Sequence, residues 1–126
     1  MTTKDFIVKF RGTRGSYPTA KANFLEFGGN TACVEVRCGN QLIILDAGTG
    51  IIDVGIDEVK NAIISQNKKP HQATIILSHI HQDHIQGLQF YVRGAGLNSI
   101  LSEIPIAQIF ILSFKDSSMI APKVSL

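Results

Sequence analysis

A dense group of histidines with one aspartate is the feature of this sequence most suited to chemistry. His79, His81, Asp83 and His84 fall within six positions of a segment that reads SHIHQDH over residues 78–84. On an extended segment His79 and His81 point the same way, so both can reach one ion. A turn into a following helix would bring Asp83 and His84 to the same pocket. Imidazole and carboxylate suit zinc, or a related ion such as manganese or iron, so the spacing predicts a metal site.

A second interpretation of this cluster stays open: exposed or hydrogen-bonded histidines without a ligand. Burying three imidazoles and a carboxylate without a metal costs free energy, which favours the metal site. His71, the fourth histidine, follows Pro70 in a polar stretch. We expect it to be a solvated surface histidine.

The elements around the cluster are those of a layered domain. Residues 73–77 form a short β-branched run that predicts a buried strand directly before the histidines. Strand-end loops are where layered α/β folds place their ligands. Residues 6–11 alternate apolar and charged side chains and predict another strand. Residues 31–37 and 41–45, joined by Gly39-Asn40, predict a β-hairpin. Its expected core face carries Ala32, Val34 and Val36.

Helices are predicted over residues 51–64 and 85–92, the second ending near Gly94. The first shows apolar residues every three or four positions, at Ile52, Ile56, Val59 and Ile63. Gly55 weakens it by about 1 kcal/mol relative to alanine. Residues 106–112 predict a further strand, and residues 115–126 look loosely organised. Strands that come first and then alternate with helices predict an α+β or α/β layered domain.

Composition excludes several classes of protein. A length of 126 residues fits one domain, and 44% hydrophobic with 17% charged residues indicates a folded chain. The net charge of +2 is too small to mark a nucleic-acid binder. The longest apolar stretch is too short to span a bilayer, no signal peptide is evident, and we expect a cytoplasmic protein without a membrane partner. Cys33 and Cys38, five positions apart, fall on opposite faces of a strand and should remain free thiols.

Four motifs together resemble a known family. HIHQDH at residues 79–84, followed by Gly87-Leu88, resembles the signature of the metallo-β-lactamase-fold hydrolases. Three upstream motifs are similar to its phosphodiesterase-like branch, which contains cyclic-nucleotide phosphodiesterases and relatives of the transfer-RNA 3′-processing nuclease. They are GTRGSYP at 12–18, GGNT at 28–31 and LDAGTG at 45–50. The resemblance covers about residues 6–92 and leaves 93–126 unassigned.

The resemblance implies an α+β fold, an αββα sandwich of which residues 1–126 would be one truncated domain, the N-terminal half. It implies two zinc ions, with manganese or iron as alternatives. His79 and His81 would bind the first ion, and Asp83 and His84 the second. A hydroxide between the ions would be the nucleophile, oriented by Asp83 as the catalytic residue. Asp46 would support a ligand histidine, although an Asx-type turn before Gly48 is an alternative role.

The implied reaction is phosphodiester hydrolysis. A small cyclic-nucleotide-like ester is favoured over RNA, because the chain shows no basic and aromatic platform for single strands. Arg11 and Arg14 flank a glycine turn and are candidates to face a phosphate. They are equally well explained as solvated charges that protect an edge strand.

The sequence departs from the family after the histidine motif. A complete family site takes two further histidines and a bridging aspartate downstream, but no histidine follows His84. The downstream carboxylates are Glu103 and Asp116. Three interpretations therefore stay open: a hydrolase fragment with little activity alone, a non-catalytic metal-binding or interaction protein on a half-fold, and a half-enzyme completed by another chain. Half a sandwich would leave an apolar sheet face uncovered, so we also expect self-association.

Overall fold

The computed structural model describes residues 5–65, 73–94, 108–111 and 123–124. Within these ranges one mixed sheet contains six strands, and their spatial order equals their order in the chain. The strands are β1 (Phe6–Gly12), β2 (Cys33–Cys38), β3 (Gln41–Leu45), β4 (Ala73–Leu77), β5 (Gln108–Ile111) and β6 (Lys123–Val124). The helices are a 3₁₀ turn (Ala22–Phe24), α1 (Ile51–Ser65), α2 (Gln82–Ile85) and α3 (Leu88–Gly94). The α+β class predicted from the sequence is confirmed at this level.

Strand pairing explains how the elements are placed. β2 and β3 form the predicted antiparallel hairpin, in which Cys38 pairs with Gln41 and Gly39 takes the left-handed φ of 57° that the turn requires. β1 pairs antiparallel with β2, with an irregularity between Phe10 and Gly12. β3 and β4 are parallel, and α1 forms the connection between them. The carboxyl ends of β3 and β4 therefore lie at the same edge of the sheet.

The core lies between the sheet and α1. The buried apolar side chains are Cys33, Leu42, Ile44, Ala47, Ile51, Val54, Ala73, Ile75, Leu77 and Tyr91. α1 forms where predicted, but the predicted apolar stripe is wrong by one position, because Ile51, Val54 and Gly55 are buried and Ile63 is 70% exposed. The buried stripe of α1 is shifted because α1 packs against α3. A Cβ on Gly55 would lie 3.2 Å from Tyr91 Cδ2, so the bare glycine edge lets the tyrosine ring pack against α1.

The sheet face that packs on α1, here called the helix-covered face, also buries charge. Glu35 is 1% exposed and accepts hydrogen bonds from Arg11 Nε at 2.6 Å and Arg37 Nε at 2.5 Å. Arg11 also donates to Asp57 at 2.6 Å, and Arg37 to Glu58, so both guanidinium groups connect the sheet to α1. Each buried charge is thereby paired and hydrogen-bonded, as a buried ion must be.

The opposite side of the sheet, here called the open face, carries the side chains that sequence analysis assigned to the core. The pairing register places Val34 and Val36 there with Phe6, Val8 and Phe10. Ile43, Leu45, Thr74 and Ile76 share this face through the register of β3 and β4. The prediction that Val34 and Val36 face the main core is therefore wrong. They are half-buried, whereas Phe6 and Phe10 remain 69% and 74% exposed.

The predicted helix over residues 85–92 is divided in two. α2 ends at Ile85 and α3 begins at Leu88, because Gly87 packs against the turn after β3. The Gly87 N–H donates to the Ala47 carbonyl at 2.9 Å, outside the helix, which interrupts the helical hydrogen bonds. A Cβ on Gly87 would lie 2.1 Å from the Gly48 carbonyl oxygen, so only glycine fits at this junction. β5 lies within the strand predicted for residues 106–112, and β6 lies in the stretch expected to be loose. The rest of residues 95–126 falls outside the described ranges.

Two further predictions concern the cysteines and membrane-spanning helices. Cys33 and Cys38 are free thiols, as expected from their opposite faces. Burial raises the pKa of the Cys33 thiol to about 12. Over the ranges that the structure describes, no helix has the length and apolar character needed to cross a bilayer.

Candidate functional site

Two turns meet at the edge of the sheet formed by the carboxyl ends of β3 and β4. The first turn spans residues 46–50, and the second spans residues 78–84, which include the start of α2. Their backbones are joined directly, because the Ala47 N–H donates to the His84 carbonyl at 2.8 Å and the Gly87 N–H donates to the Ala47 carbonyl at 2.9 Å. The Asp46 N–H donates to the Ile76 carbonyl at 2.8 Å. This edge is where layered folds with parallel strands place their ligands.

Gly48 allows the two turns to approach so closely. A Cβ at this position would lie 2.4 Å from the Asp83 carbonyl oxygen and 2.5 Å from Thr31 Oγ1. Real Cβ atoms do not come this near to backbone atoms, so only hydrogen fits. Thr31, fully buried, accepts from the Thr49 N–H at 2.8 Å and from Gln86 Nε2 at 3.0 Å. The segment at residues 28–31 is thereby joined to the first turn and to the residue directly after α2.

Asp46 has a backbone conformation that side chains rarely adopt. Its φ is 61°, in the left-handed region that aspartate tolerates better than most residues. The carboxylate accepts hydrogen bonds from the Ser78 N–H at 2.7 Å and from Ser78 Oγ at 2.8 and 2.9 Å. The Gly48 N–H donates instead to the Ala32 carbonyl. Asp46 therefore fixes the end of β4 rather than forming an Asx-type turn onto Gly48.

The three histidine rings of the cluster lie against one another. The ring centroids of His79 and His81 are 4.5 Å apart, and those of His79 and His84 are 4.0 Å apart. Ser78 Oγ lies 2.9 Å from His79 Nδ1, so a polar chain runs from Asp46 through Ser78 to His79. His79 and His81 are exposed, whereas His84 is half-buried.

His84 lies between two carboxylates. Its Nδ1 is 2.9 Å from Asp46 Oδ2, and its Nε2 is 3.4 Å from Asp83 Oδ2. Nδ1 is buried and lacks a well-aligned hydrogen bond, so its contact with Asp46 is one of proximity alone. Asp46 thus lies next to a histidine of the cluster, which is the position that the resemblance implies for a group supporting a ligand histidine.

Asp83 is held by a distant segment of the chain. The Ser16 N–H donates to Asp83 Oδ2 at 2.9 Å, across 67 sequence positions. This backbone hydrogen bond holds the pKa of Asp83 below its usual value, against the effect of desolvation. The carboxylate is therefore ionised at neutral pH, which is the form that binds metal ions. Ser16 has a positive φ of 70°, a turn conformation that presents its N–H to the site.

The donors suit a divalent ion in their chemistry and partly in their geometry. Two donors bound about 2.0–2.2 Å from a tetrahedral ion lie about 3.4 Å apart. His84 Nε2 and Asp83 Oδ2 have this separation. Among the residues described, however, no three His, Cys, Asp or Glu side chains are arranged to hold an ion. His79 and His81 are exposed and can rotate without repacking the core. The edge thus gathers the predicted donors, with one pair at ligand spacing.

The two arginines suggested as phosphate ligands have different environments. Arg11 is engaged by Glu35 and Asp57 at the helix-covered face, which removes it from consideration. The Arg14 guanidinium carbon lies 4.0 Å above the centre of the Phe24 ring. Arg14 Nε is buried without a hydrogen bond, and the described residues place no acid in ion-pair contact with Arg14.

A cavity of about 500 Å³ opens beside the cluster. Phe10, Val34, Leu45 and Ile76 of the open face contribute to its apolar wall, and Asp46 and Ser78 form a polar end. The sequence motifs assign no role to Ser78, although its position directly before His79 is a usable signal. Ser16 is likewise absent from the predicted site, because it contributes a backbone N–H, which does not depend on residue type.

The structure brings His79, His81, Asp83, His84 and Asp46 to one edge of the sheet. Their roles as ligands, catalytic group and supporting group stay predictions that rest on chemistry and on the four motifs. Comparison of the chain with protein families, with curated proteins and with solved structures finds no match.

Proposed function

We propose that this chain carries part of the active site of a metal-dependent hydrolase of the metallo-β-lactamase type, acting on phosphodiesters. The convergence of His79, His81, Asp83 and His84 at one sheet edge is the observation that supports this. The mixed sheet with helices on one side would correspond to the N-terminal half of an αββα sandwich. The uncovered open face is in keeping with half of such a fold.

In this proposal Asp83 and His84 would hold a divalent ion, and His79 or His81 would supply a further imidazole after rotating toward it. Zinc is the proposed ion, with manganese or iron as alternatives. Such an ion would act as a Lewis acid toward a phosphoryl oxygen. Asp46 would orient two of the histidines, His84 by direct contact and His79 through Ser78. Neighbours of metal ligands commonly change metal affinity 10- to 100-fold when they are removed, in order of magnitude.

Arg14 is the proposed contact for the substrate phosphate. Its guanidinium is oriented by the Phe24 ring, and it lies two positions before Ser16, whose N–H touches Asp83. Arginine matches phosphate oxygens with a planar set of donors. A small cyclic-nucleotide-like ester remains favoured over RNA, and the apolar cavity beside Asp46 would accommodate the uncharged part of such an ester.

Low activity of the chain alone is part of the proposal. Zinc sites use at least three protein ligands per ion, and the cluster offers four donors in all. We therefore expect at most one weakly held ion and slow turnover. Two alternatives are also compatible with the open face: a half-enzyme completed by another chain, and a non-catalytic metal-binding or interaction protein.

The test measures metal content and hydrolysis in the purified chain. Zinc and manganese are counted by elemental analysis after gel filtration, and bis(p-nitrophenyl) phosphate serves as an activated substrate. We expect measurable bound metal that does not exceed one ion per chain. It should be lost when His79 and His81 are both replaced by alanine and retained in His71→Ala, which removes the histidine that the sequence places outside the cluster.

Two results would contradict the proposal. If the chain retains no ion in excess zinc, or retains it equally when His79 and His81 are both replaced by alanine, the cluster is not a metal site. If the chain binds two ions tightly with robust turnover that His81→Ala abolishes, the site is complete and the expected incompleteness is wrong.

A further inference from the structure

The charged side chains of β1 and β2 lie on the face of the sheet that packs against the helix, and not on the face that is open. In β1 and β2 the charged residues Lys9, Arg11, Glu35 and Arg37 all fall on the helix-covered face. A sheet with one face in water normally places its apolar side chains against the helices and its polar ones outside. Here the open face of β1–β4 carries no charged residue. Its residues are Phe6, Val8, Phe10, Val34, Val36, Cys38, Gln41, Ile43, Leu45, Thr74 and Ile76.

We propose that the open face is a docking surface for a second copy of this chain. Two sheets would pack face to face about a two-fold axis and form a β-sandwich, with layers about 10 Å apart. This inference uses no metal ligand and does not depend on the proposed hydrolase function.

The absence of charge favours a second copy as the occupant. In a two-fold interface the same patch meets itself, so a charged residue near the axis would face its own like charge. The open face of β1–β4 has none, and a net charge of +2 per chain produces little long-range repulsion between copies. A partner of opposite charge has nothing on this face to recognise.

The exposed area is sufficient for a weak dimer. A large aromatic side chain presents about 150–250 Å². At 69% and 74% exposure, Phe6 and Phe10 therefore contribute about 300 Å² per copy. Val8 and Leu45, 47% and 38% exposed, add about 100 Å². Two copies would bury about 800 Å² through these four side chains. The half-buried neighbours on the same face must raise the total above about 1,000 Å², the range of weak and transient complexes.

The shape of the open face also favours a second copy as the occupant. The cavity of about 500 Å³ adjoins Phe10 at one end of the open face, and Phe6 lies about 13 Å away along β1. A two-fold axis that lies between the two sheets and crosses the strands at the level of Val8 would bring Phe6 of each copy toward the cavity of the other. The phenyl ring would then cover the apolar wall of this cavity, so a dimer and the uncharged part of a bound ester would exclude each other there.

Sedimentation velocity in EDTA-containing buffer, from 5 to 500 μM chain, tests the proposal without involving a metal. We expect a reversible monomer–dimer equilibrium with a micromolar dissociation constant. Phe6→Lys should raise that constant at least 10-fold. Ile63→Lys is the matched control, because Ile63 is 70% exposed on α1, away from the open face, and should leave the constant unchanged.

A second variant guards against misfolding of the first. Val8→Thr with Val36→Thr keeps β-branched side chains of nearly the same shape, and should weaken the dimer several-fold while circular dichroism stays unchanged. A chain that is monomeric at 500 μM would overturn the proposal. So would a dimer or larger assembly whose affinity neither Phe6→Lys nor the double threonine variant alters, because another surface would then be responsible.

Discussion

Replacing Glu35 by alanine should destabilise the fold more than any other single loss of charge at the helix-covered face. The carboxylate is 1% exposed and accepts from Arg11 Nε at 2.6 Å and Arg37 Nε at 2.5 Å. Alanine removes both acceptors and leaves two guanidinium groups at the junction of sheet and α1. Each arginine keeps one acid on α1, Asp57 or Glu58.

The size of the loss follows from the burial of the partners. Removing one member of a buried ion pair costs about 3–5 kcal/mol, because the remaining charge is left uncompensated. Arg11 and Arg37 are partly exposed and keep a second acid each, so we expect the lower end, about 3 kcal/mol. For a domain of this length that loss lowers Tm by roughly 10–15 °C. It also removes a large share of a typical stability of about 5–15 kcal/mol.

Urea unfolding followed by far-ultraviolet circular dichroism at pH 7 and low micromolar concentration measures this loss. Asp57→Ala is the matched control, because it removes another acid from the same network at a position 37% exposed. Exposed ion pairs contribute about 0–1 kcal/mol, so the control should change little. Equal, small losses in Glu35→Ala and Asp57→Ala would refute the reasoning, since they would show that the buried carboxylate contributes no more than a surface charge.

Two further predictions concern acid stability and the close approach of the two turns. Desolvation alone would raise the pKa of Glu35, but hydrogen bonds from Arg37 and Arg11 outweigh it and hold that pKa below its usual value. The stability that this lowered pKa provides is present above the ordinary carboxyl pKa and is lost as the pH falls through the lower pKa of the folded state. Below about pH 4 the native chain should therefore lose more stability than Glu35→Gln. Parallel losses in the two proteins would contradict this. Gly48→Ala should cost about 1–3 kcal/mol in urea unfolding, because its Cβ would meet the Asp83 carbonyl oxygen at 2.4 Å. Gly15→Ala, with nothing within 4 Å of the new Cβ, should be nearly neutral, and similar losses in the two variants would show that the contact is not limiting.

Local features of the fold could be predicted because their signals are local. The hairpin at Gly39-Asn40 and the start of α1 at Ile51 follow from turn residues and periodicity over a few positions. The histidine cluster likewise lies within six positions, so its members were bound to be neighbours. The contact of Asp83 with the Ser16 N–H spans 67 positions and depends on how two loops pack, which no short pattern reports.

The choice of buried face could not be read from the sequence. Alternation shows which residues of β2 share a face, but not which face receives the helix. The alternate positions of β2 that include Val34 and Val36 are apolar and are the natural candidate for the core, yet α1 covers the other face, with Cys33 and Glu35. Glu35 can be buried because Arg11 and Arg37 neutralise it, and Arg11 comes from a strand 24 positions earlier. The valines then cover the open face.

The identity between strand order and chain order bears on how this protein forms during synthesis. No strand of the described sheet has to enter between two strands that are already paired, since each new strand adds beside the one made before it. Sheets with sequential neighbours have fewer distant contacts to close than sheets with inserted strands, and they fold faster. A nascent chain, emerging at about 5–20 residues per second, can therefore extend the sheet from β1 toward β4 in the order of translation. The histidine cluster would be assembled once residue 94 has left the ribosome, before β5 and β6 are available to the sheet.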